Sequence, residues 1–150
     1  MTVASRPNPL QVLLVEDDPG DILMTREALE GQDVAHDIHV ARDGVEALEL
    51  LRGEGRLALA PDVVLLDLNL PRMDGREVLA AIREDGNLTH LPVVVLTTSA
   101  NEADVVESHR LHANAFVTKP SDYDSYVGAV RSIERFFAGV ATLPPRVALS

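Results

Sequence analysis

The chain has no cysteine at all among its 150 residues, which removes disulfides, thiol nucleophiles and thiolate metal sites together and is compatible with a reducing compartment. It also lacks any apolar run near the ~20 residues that span a bilayer; the longest, such as Leu91-Pro92-Val93-Val94-Val95-Leu96, are far shorter. No secretory signal pattern opens it: Met1 to Pro9 carries Arg6 but no apolar stretch behind it. A cytoplasmic protein with no membrane span is the expectation. Positive charge is scarce as well. With a formal net charge of -11 and no Lys/Arg cluster, the chain repels a polyanionic backbone, so direct binding of nucleic acid is not expected. The same acidity suits a divalent cation or a partner with a basic surface.

What is present is a hydrophobic content of 46%, enough for one sizeable core and one domain. Short apolar runs alternate with amphipathic stretches. Gln11–Val15, Ile38–Ala41, Val63–Leu66, Val93–Leu96 and Ala115–Thr118 read as strands. Between them lie patterns of helical period with start signals: Asp43 precedes Val45, Ala47, Leu48 and Leu51, and Asp74 precedes Val78, Leu79 and Ile82. Pro19 suits a first helical turn and Gly31 a helix end, so the first helix is predicted over Pro19–Glu30. The last helix is predicted over Asp122–Ala138, before Pro144-Pro145. Strands separated by helices run parallel with right-handed crossovers, which makes an α/β three-layer sandwich. Residues 1–9 are expected to be a flexible arm, 10–139 the domain, and 140–150 a tail with no effector domain behind it. Gly44, Gly75, Pro61 and Pro71 read as turn residues.

Chemistry collects at the ends of the strands. Val63-Val64-Leu65-Leu66 stops abruptly at Asp67, a charge in the crevice where open α/β sheets hold their ligands. Val15 is followed by Glu16-Asp17-Asp18, Leu96 by Thr97-Thr98-Ser99, and Val117-Thr118 by Lys119-Pro120. In a parallel sheet these C-terminal ends share one edge. Carboxylates ~4 Å apart repel by about 4 kcal/mol at an effective dielectric of ~20, so a cation belongs among them. Oxygen donors without Cys favour Mg²⁺ or a similar hard ion. Asp18 reads as a helix cap rather than a ligand. His36, His39, His90, His109 and His112 read as solvated, although His109 and His112 have helical spacing.

The order Glu-Asp, Asp, Thr, Lys-Pro on successive loops resembles the receiver domain of two-component response regulators. The resemblance covers Leu10 to Ala138 and rests on four segments. These are Leu13-Leu14-Val15-Glu16-Asp17-Asp18-Pro19, Asp67-Leu68-Asn69-Leu70-Pro71-Arg72-Met73-Asp74-Gly75, Val95-Leu96-Thr97-Thr98-Ser99-Ala100 and Phe116-Val117-Thr118-Lys119-Pro120. It implies a flavodoxin-like (βα)5 fold with strand order 2-1-3-4-5. Asp67 matches the phosphoacceptor, which takes its phosphoryl group from a sensor histidine kinase. Asp17 matches the direct Mg²⁺ ligand, Glu16 its usually water-mediated neighbour, and the Asn69 carbonyl the third protein ligand. Thr97 matches the switch hydroxyl, Lys119 the ammonium that binds a phosphoryl oxygen, and Phe116 the aromatic switch residue, without the hydroxyl of the commoner Tyr. Thr98 is larger than the Ala or Gly often found there and is expected to narrow access. Lys119-Pro120 resembles the family's cis peptide, which costs only ~0.5–1 kcal/mol before proline.

The resemblance implies a signalling acceptor with slow self-dephosphorylation, not a metabolic enzyme, whose output goes through a downstream protein or phosphotransfer partner. The run Leu96-Thr97-Thr98-Ser99-Ala100-Asn101-Glu102, with a late Ser132-Ile133-Glu134-Arg135-Phe136-Phe137 helix and a short tail, is similar to the small regulators paired with bacterial phytochrome kinases. In this helix Tyr126, Val130, Ile133, Phe137 and Val140 form one apolar stripe, widened by Tyr123, Val127 and Phe136. A face wider than ~100° exceeds what one core needs, so its extra residues either pack under the tail or meet another surface, a kinase or a second copy in a homodimer through the last helix. Two rivals use related folds. A haloacid-dehalogenase phosphatase needs a second Asp two residues after its nucleophile, where Asn69 stands here. A flavin module needs a neutral, donor-rich phosphate loop, where the loop after Val15 is acidic.

Overall fold

In the computed structural model, residues 9–30, 36–54, 58–98 and 101–140 are described, without the side chains of 139 and 140. The expected Gly31 helix end, the tail after residue 140 and nearly all of the arm lie outside them. The elements alternate β1 (Leu10–Val15), α1 (Pro19–Glu30), β2 (His36–Ala41), α2 (Gly44–Arg52), β3 (Val63–Leu66), α3 (Gly75–Glu84), β4 (Val93–Thr97), α4 (Glu102–Arg110), β5 (Ala115–Thr118) and α5 (Tyr123–Arg135). Five parallel strands run in the order β2-β1-β3-β4-β5, as expected. Among the described residues no helix is long and apolar enough to cross a membrane.

The central strands are apolar on both faces because both are covered. Successive side chains of one strand point to opposite sides, and the core divides accordingly. Leu13, Val15, Val64, Leu66, Val93 and Val95 pack with α2 and α3 through Leu48, Leu51, Val78, Leu79 and Ile82. Leu10, Val12, Leu14, Val63, Leu65 and Val94 pack with α1 and α5 through Ile22, Leu29, Tyr126, Val127 and Val130. The helices start where an Asp or Asn side chain caps them. Asp43 accepts from the Glu46 N–H, Asp74 from Arg76, Asn101 from Ala103 and Asp122 from Ser125. Asp18 does the same for α1, accepting from the Gly20 N–H at 2.8 Å, in keeping with its reading as a cap.

Several expectations are corrected. Gly44 and Gly75 are the first residues of α2 and α3, not turn residues. A Cβ at Gly44 would lie 2.4 Å from the Met73 carbonyl oxygen, so close backbone packing explains the glycine. No peptide among the described residues is cis. Lys119-Pro120 therefore keeps the trans form, which a tertiary amide still favours. His112 lies beyond α4 with φ 62°, so it does not share a helical face with His109. His36 is not solvated; its side chain is 5% exposed, with Nε2 3.2 Å from Glu134 Oε1. The last helix does not stop at Ala138 but widens into a π-helical turn over Phe136–Val140. Val127 joins the core beside Tyr126, Val130 and Phe137, whereas Ile133 is only half-buried and Tyr123 and Phe136 stand about half exposed.

Candidate functional site: an acidic pocket at the sheet edge

The order β2-β1-β3 reverses the direction of winding between β1 and β3, which opens a crevice at their C-terminal ends. The backbone of each site residue is fastened to the next strand. Glu16 N–H donates to the Ala41 carbonyl at 2.9 Å, Asp67 N–H to Val15 at 3.0 Å, and Lys119 N–H to Thr97 at 2.7 Å. Their side chains therefore leave from fixed points on one edge.

Glu16, Asp17 and Asp67 each offer a carboxylate oxygen, and these atoms lie within 4.8 Å of one another. Glu16 and Asp67 are buried while Asp17 is exposed, an arrangement open on one side. Lys119 reaches the same place from β5. Its Nζ lies 2.8 Å from Glu16 Oε2, 2.8 Å from Asp21 Oδ2 and 3.4 Å from Asp67 Oδ2. The other oxygen of Asp67, Oδ1, accepts the Asn69 N–H at 3.2 Å. Thr97 is fully buried at the end of β4. Phe116 is half-buried and packs against the α2/α3 side of the core. Thr98 is exposed.

The electrostatics are those of a site with too much negative charge. Burial, with the Asp67 charge adding to it and Lys119 opposing, pushes the Glu16 carboxyl up to about 7. Burial works against the Lys119 ammonium, but its bonds to Asp21 and Glu16 and the charges of Glu16 and Asp67 outweigh it and hold the lysine above its usual range. One ammonium faces the carboxylates of Glu16, Asp21 and Asp67, and Asp17 adds a further negative charge to the cluster. Three clustered oxygen donors of which one faces solvent fit a hard divalent cation that keeps some of its waters.

Asp17, Glu16, Asp67 and Lys119 thus converge as the sequence suggests. Asn69 is beside Asp67, though the contact seen is through its N–H. Asp21 is the residue that sequence reading missed. An acid in a first helical turn looks like an ordinary dipole partner, and its link to Lys119 spans 98 residues. The five histidines contribute nothing to the pocket.

Comparison with known proteins agrees with this geometry. Residues 12–131 match the response regulator receiver domain family. Response regulator Rcp1 of Synechocystis sp. is 42% identical over 146 residues, 96% of this chain and 99% of that protein. Its Mn(2+)-bound structure superposes with a TM-score of 0.86 at 41% identity, covering 91% of this chain and all of that one. The phosphorylated cyanobacterial phytochrome response regulator RcpA gives 0.88 at 46% identity over 92% of this chain and 100% of its own. The bacteriophytochrome response regulator AtBRR gives 0.70 at 42% identity over 91% and 96%. A parallel sheet in the order 2-1-3-4-5, an acidic pocket at its edge and a family match across most of its length make this chain a member of the response regulator receiver family, the phosphoacceptor proteins of two-component signalling.

Proposed function

We propose that Asp67 is the residue that receives the phosphoryl group, with Glu16 and Asp17 holding Mg²⁺ beside it and Lys119 and Thr97 binding phosphoryl oxygens. One observation carries the reading: Asp67 is a buried carboxylate that meets the two other acids of the metal cluster and the ammonium of Lys119 at once. A carboxylate oxygen of Asp67 attacks the phosphorus of a kinase phosphohistidine. The oxygen–phosphorus bond forms as the phosphorus–nitrogen bond breaks, and that electron pair returns to the imidazole. Phosphoryl transfer asks little covalent work of the protein beyond this nucleophile, but it needs positive charge at the transferring oxygens. Bound Mg²⁺ supplies part of that charge and Lys119 the rest. The Asn69 N–H holds Asp67 Oδ1 in place, and the Asn69 carbonyl is proposed as a further ligand. Thr97 and Phe116 form the switch that senses the new charge and biases the protein toward its signalling conformer.

The kinase is proposed to be of the bacteriophytochrome type, on the strength of the similar bacteriophytochrome response regulators AtBRR and RtBRR. Output then runs through a downstream protein or phosphotransfer partner, in the cytoplasm. Tyr123 and Phe136, apolar and half exposed on α5 and the turn that follows it, support a homodimer through this helix. The testing experiment is incubation with acetyl phosphate and Mg²⁺ followed by intact mass. One added phosphoryl group, lost in Asp67→Asn, is expected; labelling that survives Asp67→Asn overturns the assignment. Gel filtration before and after labelling tests the dimer.

A further inference from the structure

An ammonium has three N–H donors, and all three of Lys119's are engaged. The two short contacts, 2.8 Å each, go to Glu16 and Asp21, and the longer one of 3.4 Å goes to Asp67. The lysine is thus drawn away from the acceptor carboxylate that it has to serve. Glu16 belongs to the acidic cluster that fits a cation, whereas Asp21 is absent from that cluster among the described residues. Among the described residues, the Asp21 carboxylate makes its one side-chain bond to Lys119. Its backbone is clamped: its N–H reaches Asp18 Oδ1 at 3.4 Å, and its carbonyl accepts the Thr25 hydroxyl at 2.8 Å. Thr25 donates there, so it accepts from the Tyr126 hydroxyl 3.0 Å away. Residues of α1 and α5 together fix where the Asp21 carboxylate stands.

We propose that Asp21 is a positioning residue that competes with the phosphoryl group on Asp67 for the Lys119 ammonium. The inference rests on the assignment of Asp67 as acceptor. A phosphoryl group brings up to about two negative charges, so Asp21 opposes it twice, by repulsion and by holding the donor the group requires. Removing the Asp21 charge does not set the lysine adrift. The Lys119 side chain is 4% exposed, and Glu16 and Asp67 still hold its head within the pocket. The ammonium moves toward Asp67 instead, and the phosphorylated form gains.

Beryllium trifluoride, a phosphoryl mimic that binds on an aspartate, tests this without kinase or turnover. It is titrated at saturating Mg²⁺ into the wild type, Asp21→Asn, Asp21→Ser, Asp21→Glu and Asp67→Asn, with fluorine NMR as readout and thermal melting alongside. Asp21→Asn and Asp21→Ser are expected to bind it about tenfold more tightly, equivalent to about 1.4 kcal/mol, and Asp21→Glu to return to the wild-type value. Folded Asn and Ser variants with unchanged or weaker affinity, whatever their melting temperature, leave Asp21 a structural residue only and overturn the proposal. If the wild type takes up no beryllium trifluoride, or Asp67→Asn takes up as much, it is the assignment of Asp67 that falls.

Discussion

A Cβ on Gly75 would stand 2.3 Å from the backbone carbonyl oxygen of Asp67 and 2.6 Å from Cα of Leu68. The start of α3 therefore presses directly on the main chain that carries the proposed acceptor, and the Gly75 N–H donates to the Leu68 carbonyl at 2.9 Å. Both obstructing atoms are backbone, so no side-chain rotation relieves the contact. Gly75→Ala is expected to lose about 1–3 kcal/mol of stability and, because Asp67 must shift, to slow acetyl phosphate labelling. Gly44→Ala is the control. It meets the Met73 carbonyl oxygen at 2.4 Å, away from Asp67, and should destabilise comparably in urea while the folded protein labels normally. Equal labelling in both variants would show that the Gly75 contact has no bearing on the acceptor.

Glu16 couples the pocket to pH. Its carboxyl holds a proton up to about 7 in the folded chain, against an ordinary value of 4.5. Between those values the folded chain binds more protons than the unfolded one, so this group's contribution to stability falls as pH rises through the window. Mg²⁺ needs the ionised carboxylates and opposes the loss. The rise in melting temperature on adding Mg²⁺ should therefore be greater at about pH 8 than at about pH 6, and Glu16→Gln should flatten the difference. A gain from Mg²⁺ that is the same at both values in the wild type contradicts this account.

Much of the architecture was legible because it depends on local pattern. Val63–Leu66 and Ala115–Thr118 have the boundaries read from their apolar runs, and Pro19–Glu30 starts at its proline. Asp67, Glu16, Asp17 and Lys119 were legible for a second reason: parallel strands bring their C-terminal ends to one edge whatever the details of packing. What was not legible depends on reach between distant segments. Asp21 acquires its role only when Lys119 arrives from β5. His36 and Glu134 look like surface residues until the end of α5 covers the edge strand. Tyr123 and Val127 both widen the apolar stripe of the last helix, yet only Val127 is buried. Helical period locates a face but not how far the neighbouring layer extends over it.

Arg83 illustrates the same point and supports a prediction. Its guanidinium donates to the carbonyls of His112 at 3.0 Å, Thr89 at 2.9 Å and Leu91 at 2.7 Å, and to Asn114 Oδ1 at 3.0 Å. Asn114 Oδ1 also receives the Val93 N–H at 2.8 Å, so one side chain of α3 joins the loops on both sides of β4 and α4. A lysine ammonium, a compact charge with three donors, cannot span these four acceptors. Arg83→Lys should cost about 1–2 kcal/mol in urea unfolding, since the bonds are partly exposed, and speed amide exchange at Val93. A variant as stable as the wild type, with exchange at Val93 unchanged, would discount the role given to the fork.

His36 and Glu134 lie at the opposite end of the sheet from the pocket, where β2 begins and α5 ends. Their side chains are 5% and 2% exposed, and Nε2 and Oε1 approach to 3.2 Å without the alignment of a hydrogen bond. Burying two polar groups for so imperfect a contact contributes little stability, but taking one away leaves the facing atom of the other without even that contact among the described residues. Glu134→Leu should therefore lose about 1–3 kcal/mol, and the double variant His36→Leu/Glu134→Leu should recover most of it, as paired apolar replacements of buried polar groups often do. Neither change touches the strand ends that carry Asp67, so both folded variants should label with acetyl phosphate like the wild type. Urea titrations of the two single variants and the double variant close the cycle. A double variant that is less stable than either single one would mean that the pair stabilises the edge of the sheet after all.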